Sequence, residues 1–233
     1  MDPQLLALGL VWFVVFVFST TCHEAGHAWA ALKLGDPTAY LGGQVSLNPI
    51  PHVQREPFGM VLVPLLSFGL SGGGWMFGWA SAPFDPHWAA RYPRRSAWMA
   101  LAGPAANLVL VVLAGLALRI GFAAELFAVP DPAQKFGLDS LFVGTGGATD
   151  ALATALSVAF TLNVVLFVFN LIPLPPLDGS GALPLVLPAS WVARYREWFS
   201  HPAMGFLGLI VAWRVSGFVL LPALRFAIGL LHS

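Results

Sequence analysis

Charge is what this sequence lacks most. Asp, Glu, Lys and Arg make up 9% of its 233 residues, against roughly a quarter in an average soluble domain. A water-soluble domain of this length needs a charged surface, and so few charges cannot build one. Acidic and basic residues also cancel, 11 against 11, so no basic field argues for a nucleic-acid partner. The single cysteine, Cys22, excludes an internal disulfide framework. The N-terminal residues lack the positive region of a cleaved signal peptide, and the first apolar run continues too far for one. That run is read as a retained membrane segment.

What is abundant is apolar: 58% of the residues are hydrophobic. Lipid is therefore expected to cover much of the surface. Runs long enough to cross a bilayer as helices, about 20 residues each, occupy 5–34, 96–120, 151–172 and 205–231. The stretch 58–80 is apolar too, but it carries Pro64 and Gly72-Gly73-Gly74, which a straight spanning helix disfavours. Lys33 and Arg55 precede it, and Arg91, Arg94 and Arg95 follow it. Basic residues collect on the cytoplasmic side, so a re-entrant hairpin that returns to that side is expected. Lys135 is then the only basic residue of the outer loop, and Arg194 and Arg196 return to the inner face. The alternation Gln44-Val45-Ser46-Leu47-Asn48 reads as a short strand, within a strand and re-entrant region spanning 39–84. Residues 190–199 mix Trp191, Trp198 and Phe199 with Arg194, Arg196 and Glu197, which suits a helix at the interface. The expected fold is one integral-membrane domain over 1–233. It is an all-α polytopic membrane protein with four to six transmembrane or re-entrant segments and a small β element at the cytoplasmic membrane face.

The strongest chemical signal is His23-Glu24-Ala25-Gly26-His27. Residues four apart share a helix face, so both imidazoles can reach one Zn²⁺ while Glu24 stands beside the water that the metal activates. Three ionisable side chains near the end of a membrane helix are costly, and such groups mark function. Catalytic zinc usually takes three protein ligands. A candidate third lies far along the chain, where Pro173, Pro175 and Pro176 stop the third span and Asp178-Gly179 follow on irregular backbone. Read alone, that segment is a proline-terminated helix end with a solvated Asp. Cys22 points about 100° away from His23 on a helix and is no ligand. His52 reads as a solvated loop histidine.

Together these segments resemble the site-2 protease family of intramembrane zinc metalloproteases. That family pairs an H-E-x-x-H helix with a later N-x-x-P-x-x-P-L-D-G segment, here His23 to His27 and Asn170 to Gly179. Ala102-Gly103-Pro104-Ala105-Ala106-Asn107 is similar to an A-G-P-x-x-N element of the span between them, and Gly43 to Pro49 and Gly78-Trp79-Ala80 look like the family's short single-module members. The resemblance implies one zinc per chain held by His23, His27 and Asp178, with Glu24 as catalytic carboxylate. It implies hydrolysis near the cytoplasmic side of the cell membrane, with transmembrane segments of other proteins as substrates, as in regulated intramembrane proteolysis. Asn107 is expected either to bind substrate or the developing oxyanion, or to make a buried contact between helices. Asn170 can satisfy backbone freed by Pro173. The strand near Val45 and Leu47 is expected to hold an extended substrate by edge pairing. Ser19, Thr20 and Thr21 fit a hydrated pocket. Partners are thus a membrane-protein substrate and lipid, with oligomeric state left open. The rival readings are a multi-pass zinc carrier, which gives Glu24 no task, and a non-proteolytic family member acting as a binding partner.

Overall fold

The computed structural model describes residues 2–131, 137–199 and 202–232, so Lys135 lies outside the described residues. Helix α1 runs Pro3–Leu34. The Asp2 carboxylate caps its start by accepting from the Gln4 N–H at 2.9 Å. Gly35 ends it at φ 106°, a left-handed conformation that suits glycine. Two short helices follow, α2 (Thr38–Leu41) and α3 (Pro49–Arg55). The apolar helix α4 (Phe58–Leu70) opens as a π-helix over Phe58–Leu62. After α5 (Pro86–Arg91) comes the long α6 (Pro93–Ala123), then α7 (Ala148–Asn170), α8 (Asp178–Ala182), α9 (Ala189–Phe199) and α10 (Pro202–His232).

Four of these helices are long and apolar enough to cross a membrane: α1, α6, α7 and most of α10. Together with family membership, established below, they make this a multi-pass membrane protein. The burial of α1 follows its sequence. Trp12, Phe16, Thr20, His23, His27 and Ala31 lie on a packed face, whereas Leu6, Leu10, Val14 and Phe18, spaced by four, are exposed. Such apolar stripes are lipid-facing by composition. Helix α6 packs antiparallel against α1 and also packs on α7. Small residues permit the approach: a Cβ on Gly26 of α1 would stand 2.8 Å from the Ala102 carbonyl oxygen of α6.

The stretch 58–80 forms a hairpin. Helix α4 turns at Ser71–Gly74, and the chain returns without helix or strand. Its two arms are tied where Trp79 N–H donates to the Gly59 carbonyl at 3.1 Å, and where Phe77 N–H donates to Ser67 Oγ at 3.1 Å. The hairpin packs on the first half of α1, with Trp75 edge-on to Trp12 at 5.2 Å between ring centroids.

A small antiparallel sheet is present, but it pairs β1 (Phe127–Ala128) with β2 (Val143–Gly144). It therefore joins the end of α6 to the start of α7, at the opposite end of the bundle from Lys33 and Arg95. The expected strand at Gln44–Asn48 does not form. Gly43 turns at φ 73°, Gln44 is buried, and the Ser46 and Asn48 side chains accept from the N–H groups of Asn48 and Ile50. The polar half of that alternation is turn and cap chemistry, and no neighbouring edge pairs with it.

Candidate metal centre

His23 and His27 lie one turn apart on the packed face of α1 and aim their Nε2 atoms at the same point, 3.0 Å from each other. Asp178 reaches them from the other end of the sequence. Its Oδ2 is 3.0 Å from His23 Nε2 and its Oδ1 is 3.3 Å from His27 Nε2. After α7 ends at Asn170, the proline-rich turn reverses the chain and places Asp178 at the first position of α8. Gly179 allows this reversal, because a Cβ there would stand 2.3 Å from the Leu171 carbonyl oxygen.

The far side of each imidazole is tied to a fixed acceptor. His27 Nδ1 lies 2.8 Å from the Met99 carbonyl oxygen, and His23 Nδ1 lies 2.5 Å from Asn107 Oδ1. A carbonyl oxygen only accepts, so each Nδ1 carries the proton and donates. Each Nε2 then presents a lone pair to the shared point, where a carboxylate also faces it. With both Nδ1 protons turned outward, three potential electron-pair donors converge on one point, an arrangement that suits a cation. Zinc bonds of about 2.0–2.2 Å at tetrahedral angles set donors roughly 3.3–3.5 Å apart, within a few tenths of an ångström of the separations found. The donor set thus fits zinc.

Glu24 is buried at the same level of α1 but is not one of the converging ligands. Among the described residues, His23, His27 and Asp178 form the one such cluster of three or more His, Cys, Asp or Glu, and Cys22 is not in it. A family model for peptidase family M50 matches residues 11–197. The chain belongs to peptidase family M50, the site-2 protease family. It is 32% identical over 215 residues to the Bacillus subtilis protein named "Putative zinc metalloprotease YwhC", a match covering 91% of this chain and 84% of that protein. It is 32% identical over 169 residues to "Putative zinc metalloprotease Rip2" of Mycolicibacterium smegmatis, covering 72% of this chain and 54% of that one. The Rip2 protein of Mycobacterium tuberculosis is 30% identical over 168 residues with the same coverage. No solved structure gives a significant match.

Other site expectations shift. Asn107 is fully buried and is spent on His23 and on Asn163 of α7. It makes the helix-to-helix contact rather than a substrate contact. Asn170 donates to its own helix at the Leu166 carbonyl, 2.9 Å away. Val45 is half-buried and Leu47 exposed in an unpaired bend, so neither sits on a strand edge that could hold substrate. His52 is 1% exposed rather than solvated, because α3 folds back and its Nε2 donates to the Ser46 carbonyl at 3.0 Å. Ser19 does not line water; it is buried and accepts from Asn163 Nδ2. Sequence reasoning missed Asn163 and the Met99 carbonyl, and it met Gly103 only as part of the A-G-P-x-x-N element. Asn163 had a signal, since an amide in the middle of an apolar helix is costly without a partner. A Cβ on Gly103 would stand 2.6 Å from His23 Nε2 and 2.3 Å from His27 Nε2, so only glycine fits beneath the two ligands.

Proposed function

We propose that this chain is an intramembrane zinc metalloprotease that binds one zinc at His23, His27 and Asp178 and hydrolyses peptide bonds within transmembrane segments of other membrane proteins. The observation that carries the reading is the convergence of two imidazole Nε2 atoms and one carboxylate between α1 and α8. Zinc held there supplies Lewis-acid polarisation of the scissile carbonyl and makes water a better nucleophile near neutral pH. Glu24 takes the proton of the attacking water and delivers it to the leaving amine. The Nδ1 protons of His23 and His27 are turned toward Asn107 and Met99, which leaves each Nε2 to face the metal. The substrate segment must unwind locally, since a continuous helix hides its carbonyls.

The basic residues Lys33, Arg55, Arg91, Arg94 and Arg95 orient the α1–α6 end of the bundle toward the cytoplasm. The hairpin 58–80 enters from that face and returns to it. The second half of α1, with the metal ligands, then lies on the cytoplasmic side of the cell membrane. The test is reconstitution. Full-length protein purified in detergent should cleave a model transmembrane substrate, lose that activity to a zinc chelator and regain it on added zinc. Glu24→Gln separates a protease from a zinc carrier, because the protease keeps the metal and loses cleavage. Wild-type protein that binds no zinc, or zinc-loaded protein that cleaves no transmembrane substrate tried, would sink the reading.

A further inference from the structure

Asn163 is a positioning residue that sets the tautomer of the metal ligand His23 from two helices away, we infer; this rests on the zinc reading above. The observation is a chain of buried amides whose direction is fixed at one end. Asn163 of α7 puts its Nδ2 2.8 Å from the Ala159 carbonyl oxygen of its own helix and 2.8 Å from Ser19 Oγ of α1. Its Oδ1 accepts from Asn107 Nδ2 at 2.8 Å. Asn107 in turn puts its Oδ1 against His23 Nδ1. Ser19, Asn107 and Asn163 are each no more than 1% exposed, so water cannot take over any of these bonds.

An isolated amide can flip and present either oxygen or nitrogen. This chain removes that freedom link by link. The Ala159 carbonyl can only accept, so the Asn163 group facing it must be the nitrogen. Asn163 Oδ1 is then turned toward α6, and the Asn107 group facing it must be a nitrogen too. Asn107 is left with its oxygen toward His23, so His23 Nδ1 must carry the proton and Nε2 must be free for metal. His27 obtains the same tautomer directly from the Met99 carbonyl. Both ligands are therefore set by a main-chain carbonyl, His27 by contact and His23 through two side-chain amides. Without Asn163, Asn107 is free to flip and offer N–H to His23 Nδ1. That would favour a proton on Nε2, where the metal binds. Outer partners of metal-bound histidine typically change affinity by about 10–100-fold.

The experiment measures zinc affinity of full-length protein in detergent by chelator competition, together with the visible spectrum of the Co²⁺-substituted form. Asn163→Leu should weaken zinc binding by about 10–100-fold. Adding Asn107→Asp to that variant should restore most of the loss, because a carboxylate has no N–H and accepts from His23 in either orientation. Loss of packing alone between α6 and α7 would not be rescued this way. If Asn163→Leu does not yield folded protein, Asn163→Asp serves. Its carboxyl, kept protonated by burial, donates O–H to the Ala159 carbonyl and still accepts from Asn107 Nδ2, so zinc affinity should stay within about threefold and the Co²⁺ spectrum should be unchanged. Wild-type zinc affinity in Asn163→Leu, no rescue by Asn107→Asp, or a greater than tenfold loss in folded Asn163→Asp would each overturn the relay while leaving the zinc site standing. A wild-type protein without zinc would overturn both.

Discussion

Gly103→Ala tests the metal centre without touching a ligand. The added Cβ would lie 2.6 Å from His23 Nε2 and 2.3 Å from His27 Nε2 and, through the same ring, 2.6 Å from His27 Cε1. Ordinary contact begins near 3.4 Å, so the methyl intrudes by roughly 0.8 Å on one ligand and 1.1 Å on the other. The rings cannot retreat freely. His27 is held by the Met99 carbonyl on the same helix that carries Gly103, and His23 is held by Asn107, one turn further along that helix. Pushing α6 away as a body would break both bonds and open the contact between Gly26 and Ala102.

A displacement of about 1 Å is half the length of a zinc–nitrogen bond, and misplacement of that size can cost about 100-fold in rate. We expect zinc affinity to fall by at least about 100-fold, combining ligand displacement with loss of an outer hydrogen bond, and cleavage to fall with it. The assay pairs chelator competition with cleavage of a model transmembrane substrate. Gly115→Ala on the same helix is the control. Its Cβ would meet the Phe160 ring edge at 3.1 Å and Leu231 Cδ1 at 3.6 Å, and the zinc affinity should stay near wild type. Wild-type zinc affinity and cleavage in Gly103→Ala would refute the reasoning, because a site that accepts that methyl is not the one described.

Glu24→Gln should lower cleavage by about 10²–10⁴-fold while zinc content stays near wild type, measured on the same purified samples. Asp36 is buried and accepts from Thr38 N–H at 2.9 Å, from the Thr38 hydroxyl at 2.5 Å and from Asp85 N–H at 2.8 Å; Asp36→Ala should cost about 1.5–3 kcal/mol or more by thermal unfolding in detergent. Burial works to raise the Asp36 carboxyl, but those donors outweigh it and hold the group below its ordinary value. Its contribution should therefore be complete above the ordinary carboxyl range near about 4 and be lost as pH falls through the lower folded value, and Asp36→Ala should erase that acid-limb dependence. In a Cys22→Ala background, single cysteines at positions 55 and 91 should label from the same side of sealed vesicles; labelling from opposite sides would show that 58–80 crosses.

The long helices and the shared face of His23 and His27 were legible because their signals are local or conspicuous. Long, predominantly apolar runs marked α1, α6, α7 and α10, and the spacing of His23 and His27 marked a shared face. Asp178, by contrast, read alone as a solvated carboxylate at a proline-terminated helix end, and only the family resemblance of the segment Asn170 to Gly179 tied it to the two histidines. The strand expected at Gln44–Asn48 failed for a physical reason. Alternation of polar and apolar residues also arises where polar side chains cap turns, as Ser46 and Asn48 do, and sequence cannot tell whether a second edge is near. His52 was misplaced for the same cause. A histidine between Pro51 and Val53 looks loop-like, and only the fold-back that brings it to the Ser46 carbonyl buries it.

Those misses mark a boundary between the identity of a metal site and its accuracy. The motif on α1 puts two imidazoles on one face, but a helix face by itself leaves each imidazole two tautomers and a range of ring angles. Both freedoms are removed by α6. Its Gly103 sets how closely the helix can lie beneath the rings, its Met99 carbonyl orients His27, and its Asn107 orients His23. Helix α7 then orients Asn107 through Asn163. In a bundle interior where water cannot rescue a misdirected amide, every polar group must point one way. The cost of misorientation that makes such groups rare in membrane helices is thus also what makes them accurate here. The substitutions that should most damage this site are for that reason a glycine that binds nothing and an asparagine that never touches the metal.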